Sequence, residues 1–87
     1  MISFTEFKTF GKLIEYIASS LVDDPSQIDI RQFKRGSQIT FKLRVSRDDM
    51  GRIIGKGGKV ANSIRTLLRV SAAQEGKSAT LDIVEPR

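Results

Sequence analysis

The strongest constraint on this chain is a switch of hydrophobic period. Ile39, Phe41, Leu43 and Val45 alternate strictly with Thr40, Lys42 and Arg44, and apolar residues recur at helical spacing on both sides of that segment. Strict alternation requires a strand with one buried face, whereas the flanking stripes require amphipathic helices, so the chain is neither all-helical nor all-strand. Upstream, Phe7, Phe10, Ile14, Ile17, Ala18 and Leu21 form one stripe with Lys8, Lys12, Glu15 and Ser19 opposite. Aromatics at that spacing among aliphatic neighbours read as core rather than as a platform for stacking bases. Ser3 and Glu6 have capping-box spacing and predict a helix start near Phe4, while Asp23-Asp24-Pro25 ends it. Ile28 and Ile30 alternate ahead of a Gly36-Ser37 turn, predicting a hairpin; Phe33 falls out of phase, which predicts a bulge or an early strand end.

Beyond the hairpin, Ser46 and Asp49 again have capping spacing and open a short helix with Met50, Ile53 and Ile54 as its apolar face. Asp48 and Asp49 in its first turn are explained by the helix dipole rather than as a catalytic carboxylate pair. After a glycine cluster at 55–58, a longer helix runs to about Gln74 with a core stripe of Val60, Ile64, Leu67, Leu68 and Ser71, and Gly76 stops it. Gly58, Asn62, Arg65 and Arg69 share its opposite face. Ala79, Leu81 and Ile83 alternate in a closing strand before Pro86. The predicted order is α-β-β-α-α-β, an α+β fold in a single domain over residues 1–87, without repeats or linkers.

Composition narrows the chemistry. The chain has no Cys and no His, hence no thiol nucleophile, imidazole base, disulfide or zinc site of the usual kind. No catalytic residues, metal or cofactor are expected, and the protein reads as a non-enzyme. The longest uncharged run near the N-terminus, Tyr16 to Val22, is seven residues, far below the ~20 that a spanning helix needs. Glu6 and Lys8 also break any signal-peptide pattern, so a soluble cytoplasmic protein without membrane insertion is expected.

The net charge of +5 is unevenly placed. Residues 1–30 carry Lys8 and Lys12 against five acids, whereas residues 31–59 carry nine Lys and Arg side chains against Asp48 and Asp49 alone. That concentration points to an anionic partner, and it encloses Arg52-Ile53-Ile54-Gly55-Lys56-Gly57-Gly58-Lys59. A Walker loop would need glycine where Ile53 stands and Ser or Thr where Val60 stands; a dinucleotide G-x-G-x-x-G would need glycine at Val60. A G-x-x-G clamp between two helices fits. Glycines permit a sharp turn and close approach of backbone N–H groups to a phosphate, and the following helix presents its own N-terminal amides. Lys56, Lys59 and Arg52 add charge, Ile53 and Ile54 offer an apolar wall to a base, and Asn62 and Arg65 continue the polar, basic side along the helix.

The stretch Asp48 to Lys59, continuing through Ile64-Arg65-Thr66-Leu67-Leu68, resembles the KH domain, and more narrowly the small bacterial stand-alone KH proteins of the KhpA type. Leu21 to Pro25 and Leu81 to Glu85 resemble that family too, so the likeness covers nearly the whole chain. It implies the type II KH fold: a three-stranded mixed sheet with helices packed on one face. It also implies a narrow cleft for about four nucleotides of single-stranded RNA. Gly55, Lys56, Gly57 and Gly58 would grip the backbone, Ile53 and Ile54 would line the cleft, and the strand holding Ile39 to Val45 would form its other wall. Gly57 stands where the family commonly has a polar or basic residue, a departure that bears on affinity rather than on mode. The resemblance further implies a homodimer or pairing with a larger KH protein of the Jag type, and RNA chaperone activity linked to cell-envelope growth and cell shape. An adaptor whose main role is dimerisation or docking is the alternative, and a phosphate-handling enzyme is the remote one.

Overall fold

The computed structural model describes residues 10–85. The helix start at Ser3 and Glu6, Phe7, and the strand end at Pro86 lie outside them. The elements are α1 (Lys12–Leu21), β1 (Asp29–Arg35), β2 (Gln38–Arg44), α2 (Met50–Ile54), α3 (Lys59–Ala73) and β3 (Ser78–Ile83), with single helical turns at Pro25–Gln27, Arg47–Asp49 and Lys56–Gly58. This is the predicted α-β-β-α-α-β order.

The sheet is mixed, in the order β1-β2-β3: β1 runs antiparallel and β3 parallel to the central β2. The register places Ile39, Phe41 and Leu43 beside Ala79, Leu81 and Ile83, and all six point toward the helices. Phe10, Ile14 and Ala18, then Ile53, then Ile64, Leu68 and Ala72 cover that face from the helical side, so every helix packs on the same side of the sheet. Phe10 meets Phe41 edge-on at 6.5 Å between ring centres. Phe41, Ile39 and Leu43 are fully buried, each contributing about 1.5–3 kcal/mol of transfer free energy. The central strand thus carries the core, as its strict alternation predicts.

Three expectations are corrected. Phe33 marks no bulge: β1 pairs with β2 without interruption from Asp29↔Arg44 to Arg35↔Gln38. Its odd phase means that Phe33 points away from the helices, half exposed, while Gln32 takes the inward position beside Phe41. In α3 the buried stripe is Ala61, Ile64, Leu68 and Ala72, while Leu67 is 51% exposed and neither Val60 nor Ser71 is fully buried. Adjacent Leu67 and Leu68 cannot both face the sheet, and the alanines select the face that lets the helix lie close to it.

The third correction concerns Asp49. It stands in the first helical turn, as predicted, but is buried there, and its carboxylate joins two distant loops. Oδ1 accepts the Asp23 amide at 3.0 Å and Oδ2 the Asp24 amide at 3.1 Å, while the Ser46 hydroxyl donates to Oδ2 instead of capping a helix amide. Arg52 completes the cluster by pairing with both Asp23 and Asp49. The backbone bond from Asp23 holds the Asp49 carboxyl below its usual range, outweighing the desolvation that pushes it up; Ser46, the Asp24 amide and Arg52 add to the lowering. This node fixes the end of α1 against the start of α2.

Candidate nucleic-acid interface

The glycine loop sits at the junction of α2 and α3, and its geometry requires glycine. Gly55 has φ 76° and ψ 170°, a region essentially confined to glycine, and a Cβ there would lie 2.4 Å from Val60 Cγ2 and 2.8 Å from the Val60 nitrogen. The α2 backbone therefore passes directly against the first turn of α3. Gly58, at φ 80° and ψ 11°, turns the chain into that helix. Gly57 is also left-handed at φ 64°, with open space around it. The turn closes on itself through the Gly58 amide to Gly55 O at 3.1 Å and the Lys59 amide to Lys56 O. The exposed backbone of Lys56 and Gly57 lies at its apex, ahead of the fifteen-residue helix whose N-terminal amides and dipole face the same way.

Around this turn the candidate side chains divide into two groups. Lys56 and Lys59 are exposed and have no carboxylate partner among the described residues. Asn62 follows one turn along α3, and its Oδ1 accepts a bond from Arg65 Nη1 at 3.1 Å. Arg65 Nε in turn donates to Leu81 O at 3.0 Å, tying α3 to β3. The predicted basic side of α3 is real, with Arg65 at its inner border. By contrast, Arg52 is held by two carboxylates, which raise its pKa above the ordinary arginine value through Asp23 first and Asp49 second.

The expected cleft walls need revision. Ile53 is fully buried beneath the loop, and Ile54 alone of the pair reaches the surface, at 38% exposure. The strand holding Ile39 to Val45 is central and its apolar side chains are buried, so it cannot form a wall. The sheet edge beside α3 belongs to β3. Sequence reasoning also missed Leu67: with Lys59, Asn62, Ser63 and Thr66 it forms a shallow, open groove along one face of α3, starting beside the loop. The available signal was the Leu67-Leu68 pair itself, of which only one member can be core.

Known proteins share this plan. A family model described as the KhpA/KhpB KH domain matches residues 11–83. The protein named RNA-binding protein KhpA of Listeria monocytogenes is 40% identical over 74 residues, 85% of this chain and 97% of that protein. Its namesakes in Oceanobacillus iheyensis and Caldanaerobacter subterraneus are 42% identical over 72 residues and 36% over 74, covering 83% and 85% of this chain and 96% and 99% of theirs. Among solved structures, a variant of Aquifex aeolicus Era bound to GDP and aluminium fluoride superposes with a TM-score of 0.62 at 18% identity, over 88% of this chain and 30% of that one, a likeness of fold alone. With its α-β-β-α-α-β order and its glycine turn between two helices, this chain belongs to the KhpA/KhpB family of KH-domain proteins.

Proposed function

We propose that the protein binds single-stranded RNA non-catalytically, gripping about four nucleotides of backbone with the Gly55-Lys56-Gly57-Gly58 turn. One observation carries the reading: a turn that only glycine can make puts exposed backbone and two lysines, neither with a carboxylate partner among the described residues, at the N-terminus of α3. Sequence-independent attraction to phosphate supplies most of the affinity, and Ile54 and Leu67 give bases apolar contact without stacking. The relatives' name, RNA-binding protein KhpA, supports the same partner. The role is that of a cytoplasmic RNA chaperone or post-transcriptional regulator.

The test is the Lys56→Asp, Gly57→Asp double variant titrated with a short oligouridine, with circular dichroism confirming the fold. Binding is expected to fall to background; a folded variant that binds like the wild type refutes the clamp. A second reading is supported by Leu67 and Val70, each about half exposed on α3. It makes the module a docking partner for a second copy or a larger KH protein of the Jag type, whose second RNA site would raise overall affinity through effective concentration. No helix among the described residues is long and apolar enough to cross a membrane.

A further inference from the structure

The register assigns a second set of residues to the sheet face that the helices leave open. Phe33 lies opposite Thr40, and Thr40 lies opposite Thr80, so the three form one row across all three strands on the side away from the core. Strands are spaced about 4.8 Å apart, which makes the row about 10 Å long from Phe33 on β1 to Thr80 on β3, the strand beside α3. Phe33 is 52% exposed, with Lys42 Nζ 5.4 Å from its ring centre. The flanking rows place Arg31, Lys42 and Asp82 on one side and Arg35, Gln38 and Ser78 on the other. Arg31 and Arg44 engage Asp29, but neither Lys42 nor Arg35 has a carboxylate partner among the described residues.

From this arrangement we infer that the open sheet face is a second contact surface for single-stranded RNA, with a base stacked on Phe33, its phosphates on Lys42 and Arg35, and the Thr40 and Thr80 hydroxyls along the path. The charge fits this occupant. A protein interface concentrates several apolar side chains and is depleted in lysine, whereas a lone aromatic ring with Arg31 and Lys42 on one side and Arg35 on the other, against the single carboxylate of Asp82 in those rows, is an arrangement that holds a base and its backbone. The ring and the cations also lie on the side opposite the helix layer, so RNA held at the glycine turn reaches Phe33 only by passing around the sheet. The surface therefore contributes only to RNAs longer than the clamp alone can hold. This inference rests on the RNA-binding reading above.

The experiment compares full-length wild type, Phe33→Leu, Phe33→Trp and the Lys56→Asp, Gly57→Asp variant, each against oligouridine of about four and about twelve nucleotides. Ultraviolet crosslinking is mapped in parallel to the tryptic peptide Gln32-Phe33-Lys34. Phe33→Leu keeps an apolar side chain but loses the ring, and is expected to weaken the long oligonucleotide by about 5-fold or more, the loss of one stacked base, while leaving the short one unchanged. Phe33→Trp is expected to retain long-oligonucleotide binding, and the peptide to crosslink only with the long RNA. If Phe33→Leu binds both RNAs like the wild type and the peptide does not crosslink, the sheet-face inference falls while the clamp stands, provided that the double variant still loses the short RNA. A melting-temperature change in Phe33→Leu without any change in RNA affinity also overturns it, by reducing Phe33 to a packing role. A wild type that binds neither RNA removes the RNA-binding reading itself.

Discussion

At the scale of single residues, three of the four glycines in and beside the loop carry different demands. Gly55→Ala meets both a conformation reserved for glycine, costing about 1–3 kcal/mol, and the Val60 backbone, so it is expected to lower stability in urea titrations and to disrupt the turn. Gly57→Ala meets open space and pays only the left-handed preference, about 1–2 kcal/mol. Gly51 lies in α2 with ordinary φ and free surroundings, so Gly51→Ala is expected to stabilise by about 0.5–1 kcal/mol. Another ordering of the three would contradict the geometry. Asp49 makes a separate prediction. Because its folded pKa is lowered, its stabilising contribution is fully present above the unfolded carboxylate value near 4 and is lost as pH falls through the folded value. Asp49→Asn should therefore lower the thermal midpoint at neutral pH well beyond the exposed control Asp48→Asn, and the gap between Asp49→Asn and wild type should shrink in acid. The role of Asp49 was not legible from the sequence. Ser46 and Asp49 have capping spacing, and nothing local reveals that the Asp23 and Asp24 amides, some 25 residues away, are the partners.

Among the elements, legibility followed how much each relied on its own pattern. The strict alternation in β2 identified a strand with one buried face because that strand is central and its inward residues must all be apolar. β1 is an edge strand, so Gln32 can sit inward and Phe33 outward, and the phase that suggested a bulge records a face assignment instead. In α3 the helix, its end and its basic side followed from spacing, but the rotation of its apolar face did not, because Ala61 and Ala72 decide it through close packing against the sheet. The consequence is measurable. Leu68→Ala should cost about 2–5 kcal/mol of unfolding free energy, whereas Leu67→Ala should stay within about 0.5 kcal/mol while weakening whatever occupies the groove that starts at Lys59. Equal costs for the two would contradict the assigned face.

Over the whole molecule, the uneven charge of the sequence becomes a division of labour. Asp23 and Asp49 hold Arg52 at the α1–α2 junction, and Asp29 holds Arg31 and Arg44 at the sheet, while Lys56 and Lys59, beside the glycine turn, have no carboxylate partner among the described residues. The turn itself was legible because its glycines and lysines are contiguous. The walls around it were not, because they depend on which strand is the edge and which isoleucine is core. The claim that this turn grips a nucleic-acid backbone by charge is tested most directly by the salt dependence of binding to a short single-stranded RNA. Each neutralised phosphate contributes about −0.7 to the slope of log affinity against log salt. The wild type should therefore show a clearly negative slope, and Lys56→Ala should flatten it by roughly 0.7. A wild-type affinity indifferent to salt, or a Lys56→Ala slope identical to that of the wild type, would contradict the account.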